Sequence, residues 1–150
     1  MIRVQEADFD VGAEIAALTG DRTDIGAVVS FVGLVRDQAS GEDVGAMTLE
    51  HYPGMTEKQL EAIEREACER WPLSASLIIH RYGRLAPGDR IVLAVTASDH
   101  RQAAFEACAF LMGWLKTKAP FWKCEDTAAG PKWVEARTAD DKAAARWRDE

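Results

Sequence analysis

Six basic residues could do chemistry together: Arg36, His100, Arg101, Lys116, Lys123 and Arg137. Each stands where a stretch of helix or strand character ends, a place where a side chain can meet a ligand while its backbone stays held. Guanidinium groups bind phosphate or carboxylate through paired hydrogen bonds, and the free N–H groups of a helix start favour the same anions. A lysine gathered with other cations and shielded from water becomes available as nucleophile or general base. Lys116 and Lys123 have that setting, because Trp114, Phe121 and Trp122 lie close to them in sequence. Taken singly, a surface lysine or an arginine closing a strand is ordinarily solvated; as a set, these residues suit an anionic, flat ligand.

The stretch from Asp99 to Glu125 must position most of them. Phe105, Cys108, Met112 and Leu115 recur at spacings of three and four, the stripe of an amphipathic helix facing a core. Ser98 and Asp99 are good N-caps, and Asp99 with Gln102 resembles a capping box, so His100 and Arg101 are expected in the first turn. Pro120 cannot continue a helix, so the chain should turn after Lys116 to Lys118 and leave through Phe121, Trp122 and Lys123.

Upstream, Ile2 to Val4 reads as a strand. A helix capped by Asp8 or Asp10 then carries Val11, Ile15 and Leu18 on one face and stops at Gly20. Gly26 to Val35 is apolar on both alternations, as in a strand covered on both faces, and delivers Arg36. The polar segment 37–45 reads as a mobile surface loop. Ala46 to His51 resumes strand character, Pro53-Gly54 turns the chain, and Thr56 with Gln59 forms a capping box for a helix burying Leu60, Ile63 and Ala67. His51 and Glu50 raise acid–base chemistry, but a histidine beside a turn more simply reads as a hydrogen-bonded edge residue. Trp71-Pro72 closes that helix. Ala75 to Tyr82 and Arg90 to Ala97 form an antiparallel hairpin around a Pro-Gly turn. After a turn at Ala128 to Pro131 and a strand at Trp133 to Ala136, a charged tail with Trp147 closes the sequence; beyond residue 138 it is expected to be flexible. The pattern implies one α+β domain over 1–150, an antiparallel sheet with packed helices.

The charge balance of −7 argues against a general nucleic-acid or acidic-membrane binder and makes the local cations stand out. Cys68, Cys108 and Cys124 lack metal-ligand spacing and read as structural thiols of a reducing compartment, with Cys124 set apart by its neighbour Lys123. The first residues lack the apolar core of a signal peptide and no apolar run is long enough to span a bilayer, so a cytoplasmic protein is expected. No metal motif, phosphate loop, nucleophile elbow or redox cysteine pair is present in the sequence, and neither a metal nor a cofactor is expected.

Several blocks carry a family resemblance: FVGLVR at 31–36, LEHYPGMTEKQL at 49–60, HRYGRLAPGD at 80–89, DHRQAAFEACAFLM at 99–112, LKTKAPFWK at 115–123 and WVEAR at 133–137. Together, in this order and over nearly the whole chain, they resemble the catalytic, large-subunit family of molybdopterin synthase, the MoaE type. The resemblance implies an α/β hammerhead-like fold and a homodimer that binds a small ubiquitin-like sulfur carrier at each end, a heterotetramer. It implies sulfur transfer from the carrier's C-terminal Gly-Gly thiocarboxylate to cyclic pyranopterin monophosphate, forming the dithiolene of molybdopterin. By the same resemblance Lys116 is the central catalytic lysine and Lys123 serves catalysis and substrate binding. Arg36, His100 and Arg101 bind the pterin phosphate, and Arg137 contributes across the dimer interface. Two residues depart from the family pattern: Gly113, which costs a helix ~1 kcal/mol relative to Ala, and Cys124. The rival reading is a non-catalytic docking module for the carrier, which would not need this full set of cations. A stand-alone nucleotide-binding regulator is disfavoured by the missing phosphate loop.

Overall fold

The structure, a computed structural model, describes residues 1–39, 42–127, 130–134, 142 and 145–147. Two sheets organise the fold. The first has the order β1 (Ile2–Gln5), β5 (Leu73–Arg81), β7 (Arg90–Ser98), β2 (Ala27–Leu34). β1 runs parallel to β5, and the other pairs are antiparallel. Alternation along the central strands splits the core in two. Leu77, Ile79, Leu93 and Val95 point to one face, where α1 (Val11–Thr19) adds Val11, Ile15 and Leu18. Ile78 and Val92 point to the other, packed against Leu60, Ile63 and Ala67 of α2 (Met55–Arg70) and Phe110, Leu111 and Leu115 of α3 (Arg101–Thr117). The expected hairpin, the inward face of α2 and the Asp10 cap, whose carboxylate accepts the Ala13 N–H, are all present.

The second sheet is built on β4 (Glu42–His51) and β8 (Phe121–Thr127), with β3 (Gln38–Ala39) and β6 (Gly83–Leu85) pairing β4 and β9 (Gly130–Val134) pairing β8. The segment read as a loop at 37–45 therefore contains most of a β-hairpin. Its polarity misled because β3 is only two residues long and, among the described residues, pairs only with β4 at the edge of the sheet. The C-terminal strand likewise begins earlier than expected, at Gly130; residues 135 and 136, assigned to it from sequence, lie outside the described residues.

Other corrections concern exposure and caps. β2 was expected to be covered on both faces but is an edge strand, leaving Val28, Phe31 and Leu34 exposed. Of the expected stripe of α3, Cys108 and Leu115 are buried and Met112 is half-buried, but Phe105 is 61% exposed; Ala104, Ala107 and Leu111 complete the buried side. The buried line follows the small residues because α3 lies close on β7, with Thr96 Oγ1 donating to the Ala104 carbonyl at 2.6 Å. Gly113 is on this buried side and the helix continues intact to Thr117, so its small size serves packing and the last turn is not loosened. The α3 cap is His100 rather than Asp99, and α2 is capped at Gly54, whose N–H donates to Glu57 at 2.6 Å, rather than by Thr56 and Gln59. Gly54 takes φ +85°, which favours glycine at that turn. Trp147, from the tail expected to be flexible, is buried against Trp71 and Phe110 at ring separations of 5.3 and 6.0 Å.

Candidate active site

Helix α3 sets the geography. β7 delivers the chain to Ser98, the chain reverses, and α3 runs back along the same strands. Thr96 meets Ala104 and Ala94 meets Cys108. The start of α3 therefore lies over the end of β7 and the start of β2, where Ala27 pairs with Ser98. The end of α3 lies over the start of β7. Fifteen residue steps along the helix put about 22 Å between Arg101 and Lys116. The basic residues that the sequence grouped into one pocket thus form two groups at opposite ends of one chain.

Lys116, in the last turn of α3, and Lys123, on β8, come from different elements and both lie near enough to the buried ring of His80 for their charges to act on it. His80 Nδ1 lies 2.8 Å from the Arg81 carbonyl. A carbonyl only accepts, so Nδ1 carries the proton and Nε2 the lone pair. The ring stacks on Phe121, the first residue of β8, with centroids 3.6 Å apart and planes 14° from parallel. Burial pushes the His80 pKa down to about 3, helped by the charges of Lys123, Lys116 and His51 and opposed by the bond to Arg81. His51 lies 4.5 Å from Tyr82 and 6.0 Å from Phe121 by ring centroids. Its Nδ1 is 3.1 Å from Thr56 Oγ1, which already donates to the Tyr52 carbonyl and accepts the Tyr52 N–H. With the hydroxyl proton so committed, His51 Nδ1 must be the donor. This is the hydrogen-bonded histidine that the sequence suggested.

Arg36 joins the lysine end. Val35 N–H donates to the Asp89 carbonyl at 2.9 Å and its own carbonyl accepts Gly88 N–H at 2.7 Å, tying the exit of β2 to the turn before β7. At the other end, Gly26, Asp99, His100, Arg101 and Gln102 line an open depression. His100 and Arg101 are exposed there, His100 standing at the cap and Arg101 opening the helix, so both side chains share the region of free N–H groups. Arg137 lies outside the described residues.

Several arginines are tied to carboxylates within the fold. Arg3, Arg22, Arg70, Arg81, Arg84 and Arg90 each contact a carboxylate. Among the described residues Arg36, Arg101 and Lys116 have no acidic partner within 4.0 Å, which is equally true of the exposed Lys58, Arg65 and Lys118. Cys108 is inert: burial pushes its thiol up to about 11. Cys124 is half-buried on β8 beside Lys123, and no group of His, Cys, Asp or Glu among the described residues could hold a metal. No helix of the described residues is long and apolar enough to cross a membrane. Sequence reading missed His80. Its signal was a titratable side chain continuing the inward alternation of Ile78 in an apolar strand.

Fold and site define an α+β protein with basic residues gathered at both ends of one long helix. A family model described as MoaE protein matches residues 4–118. The molybdopterin synthase catalytic subunit of Pseudomonas aeruginosa is 60% identical over 148 residues, 99% of each chain. A MoaE protein structure from Burkholderia ambifaria matches with TM-score 0.84 and 54% identity, covering 98% of this chain and 97% of that one. A Staphylococcus aureus molybdopterin synthase structure matches with TM-score 0.81 and 31% identity, covering 88% and 95%. The chain belongs to the MoaE family.

Proposed function

We propose that this chain is the catalytic subunit of a molybdopterin synthase and that its reaction centre is the end of the molecule where Lys116 and Lys123 meet. The observation that carries this reading is the stack of Phe121, two residues before Lys123, on the buried ring of His80, near which Lys116 of α3 also lies, with Arg36 at the same end of the sheet. A small ubiquitin-like carrier presents its C-terminal thiocarboxylate there. Lys116 assists attack of the thiocarboxylate sulfur on cyclic pyranopterin monophosphate, and water then cleaves the acyl carbon–sulfur bond, leaving the sulfur on the pterin and releasing the carrier as a carboxylate. Lys123 and Arg36 hold the anionic substrate.

His100 and Arg101 cannot reach that ligand from the same chain, being about 22 Å away along the helix. The reading that uses them is a homodimer in which a second copy brings its α3 start to the lysine end of the first. The exposed apolar residues Val28, Phe31 and Leu34 on edge strand β2, with Phe105 on α3, support such a partner, since a free edge strand of this kind is normally covered. Arg137 belongs to this composite site by family resemblance.

The test is turnover of the purified protein with thiocarboxylated carrier and cyclic pyranopterin monophosphate, with the product oxidised to a fluorescent pterin. Lys116→Ala should abolish product while leaving carrier binding intact. Wild-type turnover in that variant would overturn the mechanism. Carrier binding without turnover in the wild-type protein would favour the docking-module reading.

A further inference from the structure

Near the two lysines lies a group to which the proposed reaction gives no task. His80 follows Leu77, Ile78 and Ile79 in the buried part of β5, a place where an imidazole costs desolvation and an aliphatic side chain would not. Its orientation is determined twice, by the Nδ1–H bond to the Arg81 carbonyl and by the flat stack on Phe121. Phe121 is the corner of the site. It begins β8 immediately after Pro120, it follows Lys116 by one short turn and precedes Lys123 by two residues, and its backbone is paired with His51 of β4. Its N–H donates to the Ala119 carbonyl at 2.8 Å, which tightens the corner further. A ring clamped at this point determines how the end of α3 and the start of β8 sit over the sheet.

We infer that His80 is a positioning residue for the lysine pair: oriented by the Arg81 carbonyl and stacked on Phe121, it sets the α3–β8 corner and hence the separation of Lys116 and Lys123. The inference rests on the reading of those lysines as catalytic. It also accounts for the ring's environment. The charges that act on it are those of Lys123 from β8, Lys116 from α3 and His51 from β4, whose ring packs against Tyr82. A charged ring there would repel both ammonium groups, whereas the neutral ring offers a flat surface and no competing cation.

The experiment compares His80→Ala, His80→Phe and Phe121→Leu in the full chain with its carrier. Misplacement of reacting groups by about an ångström costs up to roughly a hundredfold in rate, so folded His80→Ala should lose about tenfold to a hundredfold in kcat with KM for the carrier little changed. His80→Phe keeps a stacking ring and should recover kcat to within about threefold of wild type, although at a lower melting temperature because the Arg81 carbonyl loses its donor. Phe121→Leu keeps apolar volume without the flat ring and should reproduce the alanine result. A folded His80→Ala or Phe121→Leu with wild-type kcat would overturn the inference, as would His80→Phe falling as far as His80→Ala.

A turnover-independent readout separates this from the catalytic reading. Trace acetylation at fixed pH, read by mass spectrometry, should show the Lys116 to Lys123 labelling ratio changed in His80→Ala and preserved in His80→Phe. An unchanged ratio in both variants refutes the positioning role even if Lys116→Ala proves inactive. A changed ratio alongside an active Lys116→Ala supports the positioning and refutes only the catalytic assignment. In the wild-type protein, nitrogen NMR of His80 should show the Nδ1–H tautomer and no titration between about pH 5 and 9, and a ring that titrates in that window contradicts the geometry.

Discussion

Substituting Gly26 by Ala isolates the end of the site formed by His100 and Arg101. A Cβ added at Gly26 would stand 2.1 Å from the Asp99 carbonyl oxygen, and real Cβ atoms essentially never approach below 3.0 Å. The two backbones must therefore separate by about 0.9 Å, the difference between these distances. The obstructing atom is backbone, one residue before the α3 cap, and no side chain can swing away to relieve it. The hydrogen bond from Gly26 N–H to the Ser98 carbonyl, 2.9 Å long, resists the same separation. Overpacking of this kind costs about 1–3 kcal/mol. For a domain of this size each kcal/mol lowers the melting temperature by about 2–4 °C, so a fall of roughly 2–12 °C is expected. A shift near 1 Å at the helix start also misplaces His100 and Arg101, which should raise KM for the pterin by about tenfold while carrier affinity stays unchanged. Thermal melting and turnover titrations measure the two effects separately. Unchanged melting refutes the packing argument, and lowered melting with an unchanged pterin KM refutes the assignment of His100 and Arg101 to substrate.

The composite site can be tested by mixing two inactive variants. If Lys116 of one copy works with Arg101 of another, randomly paired Lys116→Ala and Arg101→Ala chains should regain about a quarter of wild-type turnover, because half the dimers are mixed and each holds one intact site. No recovery places all these groups in one chain. Phe105→Asp should convert the dimer to monomer by light scattering, since it puts a charge on the exposed face of α3; an unchanged mass moves the interface elsewhere. His80 supplies a pH dependence whose sign follows from its lowered pKa. Between about pH 6.5 and the folded value of about 3 the unfolded chain binds the extra proton, so stability is full above pH 6.5 and falls as the solution is acidified. Denaturant titrations from pH 7 to 4 should show wild type losing up to about 1.4 kcal/mol per pH unit more than His80→Phe, and parallel curves would show that His80 is not buried as a neutral ring.

The sequence alone determined what is local or periodic: a cap at Asp8 or Asp10, which the structure places at Asp10, the inward Leu60, Ile63 and Ala67, the β5 and β7 hairpin, and the break at Pro120. These depend on backbone geometry and on alternation within a few residues, which side-chain types report directly. The family was legible for a related reason, since long blocks around Lys116 and Lys123 keep their residue types in order. Tertiary structure decided the rest. Gly26 to Val35 reads as doubly covered because its apolar residues are real, but within one chain β2 is an edge, and composition does not say whether the covering surface belongs to the same molecule. The hairpin within 37–45 carried no apolar alternation, and with β3 only two residues long at the sheet edge its strands left no trace in residue type. The basic residues looked like one pocket because Arg101 and Lys116 share a helix, yet a helix rises 1.5 Å per residue and sets them at opposite ends. His80 was silent for the converse reason: its partners Phe121, Lys116 and Lys123 lie far from it along the chain and meet it only when β8 closes over the end of α3.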